Sequence, residues 1–359
     1  MTVTTIALPV PFAVRAVNCY LLEGDPLTLI DPGADWPETV VELDASLAAR
    51  GLRVEDVEQV ILTHQHYDHV GLAHTVRERS GATVVAHELL RPFLADLPGQ
   101  MELEDSYQAD VMRLHGVSEP AIAGLYAVSR EHRIYGGSVT VDRTIRAGDV
   151  VEAGGRRLLV GERPGHSPTD TIFVVEDERL AIVGDHLIGH ISSNPVIHRP
   201  LDRPADTRER MRSLVLYIDS LRRTAELDVD LLLPGHGNPV ESHRALVDER
   251  LDFHHRRKER LFGGLADGPL TAHELAIDLW GSVAEREPFL TLSEALGHLD
   301  LLEDEGRVVV LEGDDGLLRY EALGDRGGGC GFSLTRARRP ARSAYPSAPS
   351  ARTCPLPRS

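Results

Sequence analysis

The chain has 359 residues, 42% of them hydrophobic and 26% charged, enough for one large globular domain or two to three smaller ones. Its formal net charge is −18, and because the last 35 residues hold seven Arg against one acid, the rest stands near −24. Such a body gives no electrostatic reason to expect broad binding to nucleic acid or anionic membranes, and three cysteines (Cys19, Cys330 and Cys354) rule out a disulfide framework.

From the amino end, "MTVTTIALPVPFAVRAVNCYLL" lacks a basic opening region and is interrupted by Pro9, Pro11, Arg15 and Asn18. It does not read as an export signal, and no stretch approaches the roughly 18 apolar residues of a membrane span, so the expected location is the cytoplasm. "CYLLEG" and "LTLIDPGA", separated by Gly24, Asp25 and Pro26, predict a hairpin. Val40, Leu43 and Leu47 predict a helix over 38–50. A short strand, "VEQVIL", a helix closed by Gly81 and a further strand, "ATVVAH", follow. Residues 90–140 read as a mostly helical insertion of the kind that shapes pockets. Strand signals resume with "TIRAGDVV", "RRLLVGE", "TIFVVE", "RLAIVGD" and "VDLLLPGHG", with a turn at "DERL".

Past residue 240 the texture becomes helical. Thr271 is placed to cap a helix in "LTAHELAIDLWG", and a further helix is followed by two strands about an "EGDDG" turn. This order predicts a helical and winged-helix-like domain over 241–324. Residues 325–359, rich in Gly, Ser, Pro and Arg, are expected to be a disordered tail.

Within "ILTHQHYDHVG" stand His64, His66, Asp68 and His69. Three later apolar runs end in "PGHSPTD" with His166, "GDHL" with Asp185 and "PGHG" with His236. Strands of similar direction would bring these ends to one rim. Five imidazoles and two carboxylates suit Zn²⁺, with Fe and Mn using the same donors, and are too many for one tetrahedral ion. Two ions sharing a carboxylate would account for them. The glycine before His166, Asp185 and His236 would allow the sharp turn each needs.

"THQHYDHVG" resembles the T-H-x-H-x-D-H-x-G signature of the metallo-β-lactamase superfamily, and the three later motifs match its remaining metal motifs in order. The resemblance covers about residues 10–240 and implies an αββα sandwich over 1–240, an α+β class overall. It implies one divalent ion on His64, His66 and His166 and a second on Asp68, His69 and His236, with Asp185 bridging. Asp31 of "LIDPGA" would orient a ligand by hydrogen bonding. A metal-bound hydroxide would attack the substrate, with Asp68 and Asp185 as the catalytic carboxylates.

Four activities compete on this family's fold. An export-dependent β-lactamase is disfavoured by the amino end, and a one-iron persulfide dioxygenase by the full set of seven donors. The C-terminal appendage resembles that of β-lactamase-like endoribonucleases, yet residues 265–322 hold fourteen acids against three Arg, the wrong sign for a nucleic-acid reader. The expected function is therefore a dinuclear hydrolase of a small ester or thioester, similar to glyoxalase II; a non-catalytic, metal-stabilised binding protein is the remaining alternative. Residues 184–200 are expected to line the pocket through His186, His190, Ser192, Ser193 or Asn194, and His198 is given no role. "HHRRKER" (254–260) is expected to be a solvated face paired with Glu249, Asp252 and Glu259.

Overall fold

Strands that are apolar on both faces force a layered architecture, because each face must be covered. The computed structural model, which describes residues 3–204 and 206–323, shows two such sheets face to face. The expected tail, 325–359, lies outside the described residues.

The first sheet runs in chain order from β1 (Val3–Pro9) through β2 (Ala16–Leu22), β3 (Thr28–Ile30), β4 (Gln59–Ile61) and β5 (Thr83–His87) to β6 (Arg143–Ile145). β1–β3 are antiparallel, the hairpin expected about Gly24 included, and β3–β6 are parallel. The second sheet holds β7 (Val150–Ala153), β8 (Arg156–Glu162), β9 (Thr171–Val175), β10 (Leu180–Gly184) and β11 (Leu231–Pro234), in the order β11-β10-β9-β8-β7. "TIRAGDVV", expected as one strand signal, is divided: its start closes the first sheet as β6 and its end opens the second as β7. The turn between them, with Gly148 at φ 89°, carries the chain across the sandwich.

Alternation along each strand sorts side chains between layers. Tyr20 and Leu22 of β2 meet Phe173 and Val175 of β9 and Leu180 and Ile182 of β10 between the sheets. Cys19 and Leu21 face outward to α1 (Pro37–Ala48), α2 (Tyr67–Val70), α3 (Ala73–Ser80) and α4 (Leu90–Ala95), whose Leu43, Val70, Val76 and Phe93 cover that face. The predicted α1 and α3 are both present, and α3 ends at Gly81 in the left-handed conformation.

The insertion continues as α5 (Leu97–Leu114) and α6 (Glu119–His132). On the far side Ile172, Val174, Ala181 and Val183 are covered by α7 (Ser213–Ala225) and α8 (His243–Gly263) through Leu214, Tyr217, Leu221 and Val247. The chain ends in β12 (Leu270–Thr271), α9 (Ala272–Trp280), α10 (Ser282–Arg286), α11 (Pro288–Asp304), β13 (Val308–Glu312) and β14 (Leu318–Ala322), whose strands form a sheet ordered β12-β14-β13. Thr271 caps α9 in a reciprocal box with Glu274.

The last helices and the insertion share one apolar core: Tyr107, Met112 and Ile122 pack with Leu261, Leu275, Leu296 and Leu299. Residues 291–300 of α11 are buried on every face. The basic run on α8 is ion-paired, along its own helix where Lys258 lies 3.7 Å from Glu259, as expected, and beyond it: Arg257 reaches Glu294 at 2.7 Å, Lys258 meets Glu305, and Glu259 takes Arg307 at 2.7 Å. The added partners come from α11 and the residues after it, which pack directly on that face. Among the described residues no helix is long and apolar enough to cross a membrane.

His254 on α8 and His298 on α11 are both fully buried, with Nδ1 of the first 3.3 Å from Nε2 of the second. Burial pushes each down to about 4 from an ordinary 6.5. The unfolded chain therefore takes up their protons first, and the stability they contribute is whole above about pH 6.5 and lost as pH falls towards 4, by at most ~3 kcal/mol per ring. In urea titrations of chelator-treated protein, the His254→Leu, His298→Leu double variant should lose less stability than wild type between about pH 7 and about pH 4.5. Equal losses would contradict the assignment.

Candidate metal centre

β3 and β4 are parallel, β10 and β11 are parallel, and β8 shares the direction of β10 because antiparallel β9 lies between them. The carboxyl ends of all five strands therefore meet on one rim. Asp31 follows β3, the 64–69 loop follows β4, His166 follows β8, Asp185 follows β10 and His236 follows β11. Main-chain bonds stitch the two sheets together there: the Thr171 N–H donates to the Thr63 carbonyl at 3.0 Å and the Asn18 N–H to the Gly235 carbonyl at 2.7 Å.

All seven residues expected at the centre converge. Donor atoms of His64, His66, His166 and Asp185 lie within 4.8 Å of one another, as do those of Asp68, His69 and His236. Asp185 stands between the two groups: Oδ1 is 3.3 Å from His69 Nε2, and Oδ2 is 3.3 Å from His236 Nε2 and 3.6 Å from His166 Nε2. Asp68 Oδ2 is 3.2 Å from His236 Nε2.

Gly165, at φ 154°, and Gly184 take the positive φ that the turns were expected to need, and Gly235 does not. Gly184 sits at φ 49° and lets the chain turn over Thr63. Gly235 is needed for space: a Cβ there would collide with the Asp185 carboxylate and lie 2.7 Å from His69 Cε1.

Hydrogen bonds around the centre set the tautomers. Asp31, buried and in the left-handed region at φ 54°, accepts from the Thr63 N–H at 2.9 Å, the Thr63 hydroxyl at 2.6 Å and His69 Nδ1 at 2.8 Å. Having given its proton to Asp31, the Thr63 hydroxyl accepts from His64 Nδ1 at 3.0 Å. The Ala16 carbonyl takes His236 Nδ1 at 2.6 Å, and the Asn194 carbonyl takes His166 Nδ1 at 3.3 Å. In each ring the proton is held at Nδ1 and the Nε2 lone pair is turned to the centre.

Those lone pairs crowd together. His66 Nδ1 lies 3.0 Å from both His64 Nε2 and His166 Nε2, and one ring proton cannot satisfy two lone pairs. Among the described residues, His69 Nε2 and Asp185 Oδ1 are buried with no hydrogen-bond partner. Such an arrangement is costly for the protein alone and is resolved by cations. Burial holds His64 and His66 well below the ordinary histidine range, so both stay neutral. At Asp185 burial acts upward, but His69 and His236 outweigh it and hold the carboxyl well below its usual range. Burial likewise opposes charge on His236, yet Asp185 and Asp68 draw it up to about 10. A centre whose carboxylates draw positive charge beside His64 and His66, which burial keeps neutral, has the chemistry of a site for divalent ions.

A cavity of about 400 Å³ opens over the two groups, with Asp68, Asp185 and His236 in its floor. The pocket residues expected from 184–200 are corrected here: His186, His190, Ser192, Ser193 and Asn194 do not line it. Asp185 faces the centre, whereas His186, in a turn whose N–H donates to the Val183 carbonyl at 3.1 Å, is buried beneath α7 with Nε2 2.8 Å from Thr224 Oγ1. His190 is exposed beside Gly237, and Asn194 acts through its carbonyl. The walls come instead from Phe12, Phe93, Met101, Val196, His198 and Phe289, together with Glu104 and Gln108 of α5. One signal for them was present in the sequence: Gln100, Glu104 and Gln108 recur every four residues, one polar stripe on a helix. Thr63 and the Ala16 carbonyl carried no comparable signal.

Comparison with known proteins agrees with this geometry. A family model described as the metallo-beta-lactamase superfamily matches residues 13–236. The chain is 35% identical over 309 residues to a probable metallo-hydrolase of Bacillus subtilis, YqjP, covering 84% of this chain and 92% of that protein. It is 31% identical over 198 residues to a hydroxyacylglutathione hydrolase of Methylobacterium nodulans, covering 54% of this chain and 59% of that one. The crystal structure of a metallo-beta-lactamase family protein from Thermus thermophilus superposes with a TM-score of 0.73 at 28% identity, over 89% of this chain and 98% of that one. With two sheets delivering its metal-binding motifs to one rim, the chain belongs to the metallo-beta-lactamase superfamily and is a metal-dependent hydrolase of it.

Proposed function

We propose that the protein is a dinuclear hydrolase of small apolar esters, thioesters foremost, with Zn²⁺ in both positions. His64, His66 and His166 would hold one ion, Asp68, His69 and His236 the other, and Asp185 would lie between them. Bound there, the ions would polarise a substrate carbonyl and make water a competent nucleophile near neutral pH. The protein's own part is to hold His64, His69, His166 and His236 in one tautomer, exclude bulk water and seat the acyl group. Asp68 and Asp185, both in the cavity floor, are the carboxylates within reach of the reacting atoms.

The observation that carries the substrate reading is the cavity itself. Phe12, Phe93, Met101, Val196 and Phe289 give it apolar walls, and among the described residues no Lys or Arg lines it. A nuclease must neutralise phosphates, and this pocket offers acids where it would need bases. The likeness to a hydroxyacylglutathione hydrolase, an enzyme named for a thioester, points the same way. The C-terminal segment supports the reading too. Its order of strand, helices and hairpin over 270–322 is compatible with the winged-helix-like reading, yet α11 is buried against the insertion and sends Phe289 into the cavity wall. It serves as a pocket wall.

Purified protein should carry near two zinc ions per chain by metal analysis. The His64→Ala, His66→Ala double variant should lose at least one; full activity without metal would refute the scheme. Asp31→Asn, which keeps the volume but weakens the hold on both Thr63 and His69, should lower zinc affinity about 10- to 100-fold in chelator competition. In a panel of thioesters, esters and single-stranded RNA, acyl thioesters should be cleaved fastest. Cleavage of RNA alone would replace the proposal with a nuclease.

A further inference from the structure

A third group of metal-binding side chains lies apart from the centre, between α8 and α11. Donor atoms of His254, Glu294 and His298 are within 4.8 Å of one another. Glu294 and His298 stand four apart on one face of α11, and His254 meets them from α8. Both rings are fully buried and the carboxylate nearly so.

The protons make this more than a packed polar contact. His298 donates from Nδ1 to the Glu294 carbonyl at 2.7 Å, so its Nε2 carries a lone pair, and that nitrogen lies 3.3 Å from His254 Nδ1. Two imidazole nitrogens on one tetrahedral zinc, each bonded at about 2.0–2.1 Å, stand about 3.3 Å apart. His254 has one proton for two nitrogens. On Nδ1 it leaves Nε2 a bare acceptor, and Nε2 is buried without a hydrogen-bond partner among the described residues. On Nε2 it leaves two lone pairs face to face, as around His66 in the centre. Burial pushes both rings down to about 4, so at neutral pH they are uncharged and competent as ligands. Glu294 adds a carboxylate, whose Oε1 also takes Arg257 at 2.7 Å. Arg250 and Lys258 are near as well, each held elsewhere: Arg250 by the carbonyls of Ile188, Gly189 and Ile191, Lys258 by Glu305. With those cations about it, and one carboxylate where the centre has two, this group binds a metal ion more weakly than the centre does.

We infer that His254, Glu294 and His298 form a further metal site, which takes a divalent ion such as Zn²⁺ and clips α8 to α11. Two imidazoles and a carboxylate are donors that zinc prefers. The role of the ion is structural. α8 covers the second sheet through Val247, and α11 carries Phe289 of the cavity wall, so an ion that joins the two helices fastens that wall to the sandwich. The inference does not depend on the reaction proposed above.

The test uses full-length protein, loaded at the centre and dialysed against rising free Zn²⁺, with bound metal counted per chain and the melting temperature followed alongside. Wild type should take up one ion beyond those of the centre, at higher free zinc, and its melting temperature should rise as it does so. The His254→Leu, His298→Leu double variant should lack that one ion and keep those of the centre. Glu294→Gln, which preserves the shape of the helix contact, should weaken the extra ion at least about tenfold, and it decides the matter if the double variant does not fold. A wild type that saturates without the extra ion overturns the proposal, and so does an extra ion that both variants bind as tightly as wild type. The readout is a difference of one ion between wild type and variant, so it stands whatever number the centre itself holds.

Discussion

One buried carboxylate underlies the organisation of the centre. Asp31 accepts from His69 directly and from His64 through the Thr63 hydroxyl, so a single side chain sets the tautomer of one ring in each histidine group. Its left-handed backbone turns the chain at the end of β3 and brings the carboxylate beneath the loop that follows β4. Without that acceptor the Thr63 hydroxyl would have no fixed proton direction, and two lone pairs would lose their aim.

The rest of the sandwich repeats this arrangement of proton held outside and lone pair held inside. The Ala16 carbonyl does for His236 what Asp31 does for His69, and the Asn194 carbonyl does it for His166. Ala16 begins β2 and Asn194 lies beyond β10, so both sheets contribute outer partners as well as inner donors. The cross-sheet bonds from Thr171 and Asn18 keep the two halves in register at the rim. Convergence of donors from separate sheets makes the site depend on the whole fold, since slippage of either sheet would part the two groups.

Over this centre the chain builds a wall from its most distant parts. The insertion carries Met101, Glu104 and Gln108, the β1–β2 connection carries Phe12, and α11 carries Phe289. The insertion and α11 share an apolar core that includes Met112, Ile122, Leu296 and Leu299, which explains why α11 is buried along 291–300. Apolar burial outweighs exposure of that helix to solvent.

The sequence by itself determined the family, the order of most elements and all seven residues that meet at the centre. The 64–69 cluster and the motifs after β8, β10 and β11 carry their identity in local order. Thr271 with Glu274, and Gly81 after α3, are similarly local, since a cap or a turn depends on a few neighbouring positions. Only the tertiary structure decided the pocket. His186 and Asp185 are neighbours in sequence and face opposite layers, and residues 197–199 are brought to α5 across nearly a hundred positions. His198 had no motif about it to mark it out. Its place in the pocket wall depends on which helix face it meets, and that is set by how two layers pack, a long-range property that local residue patterns do not encode.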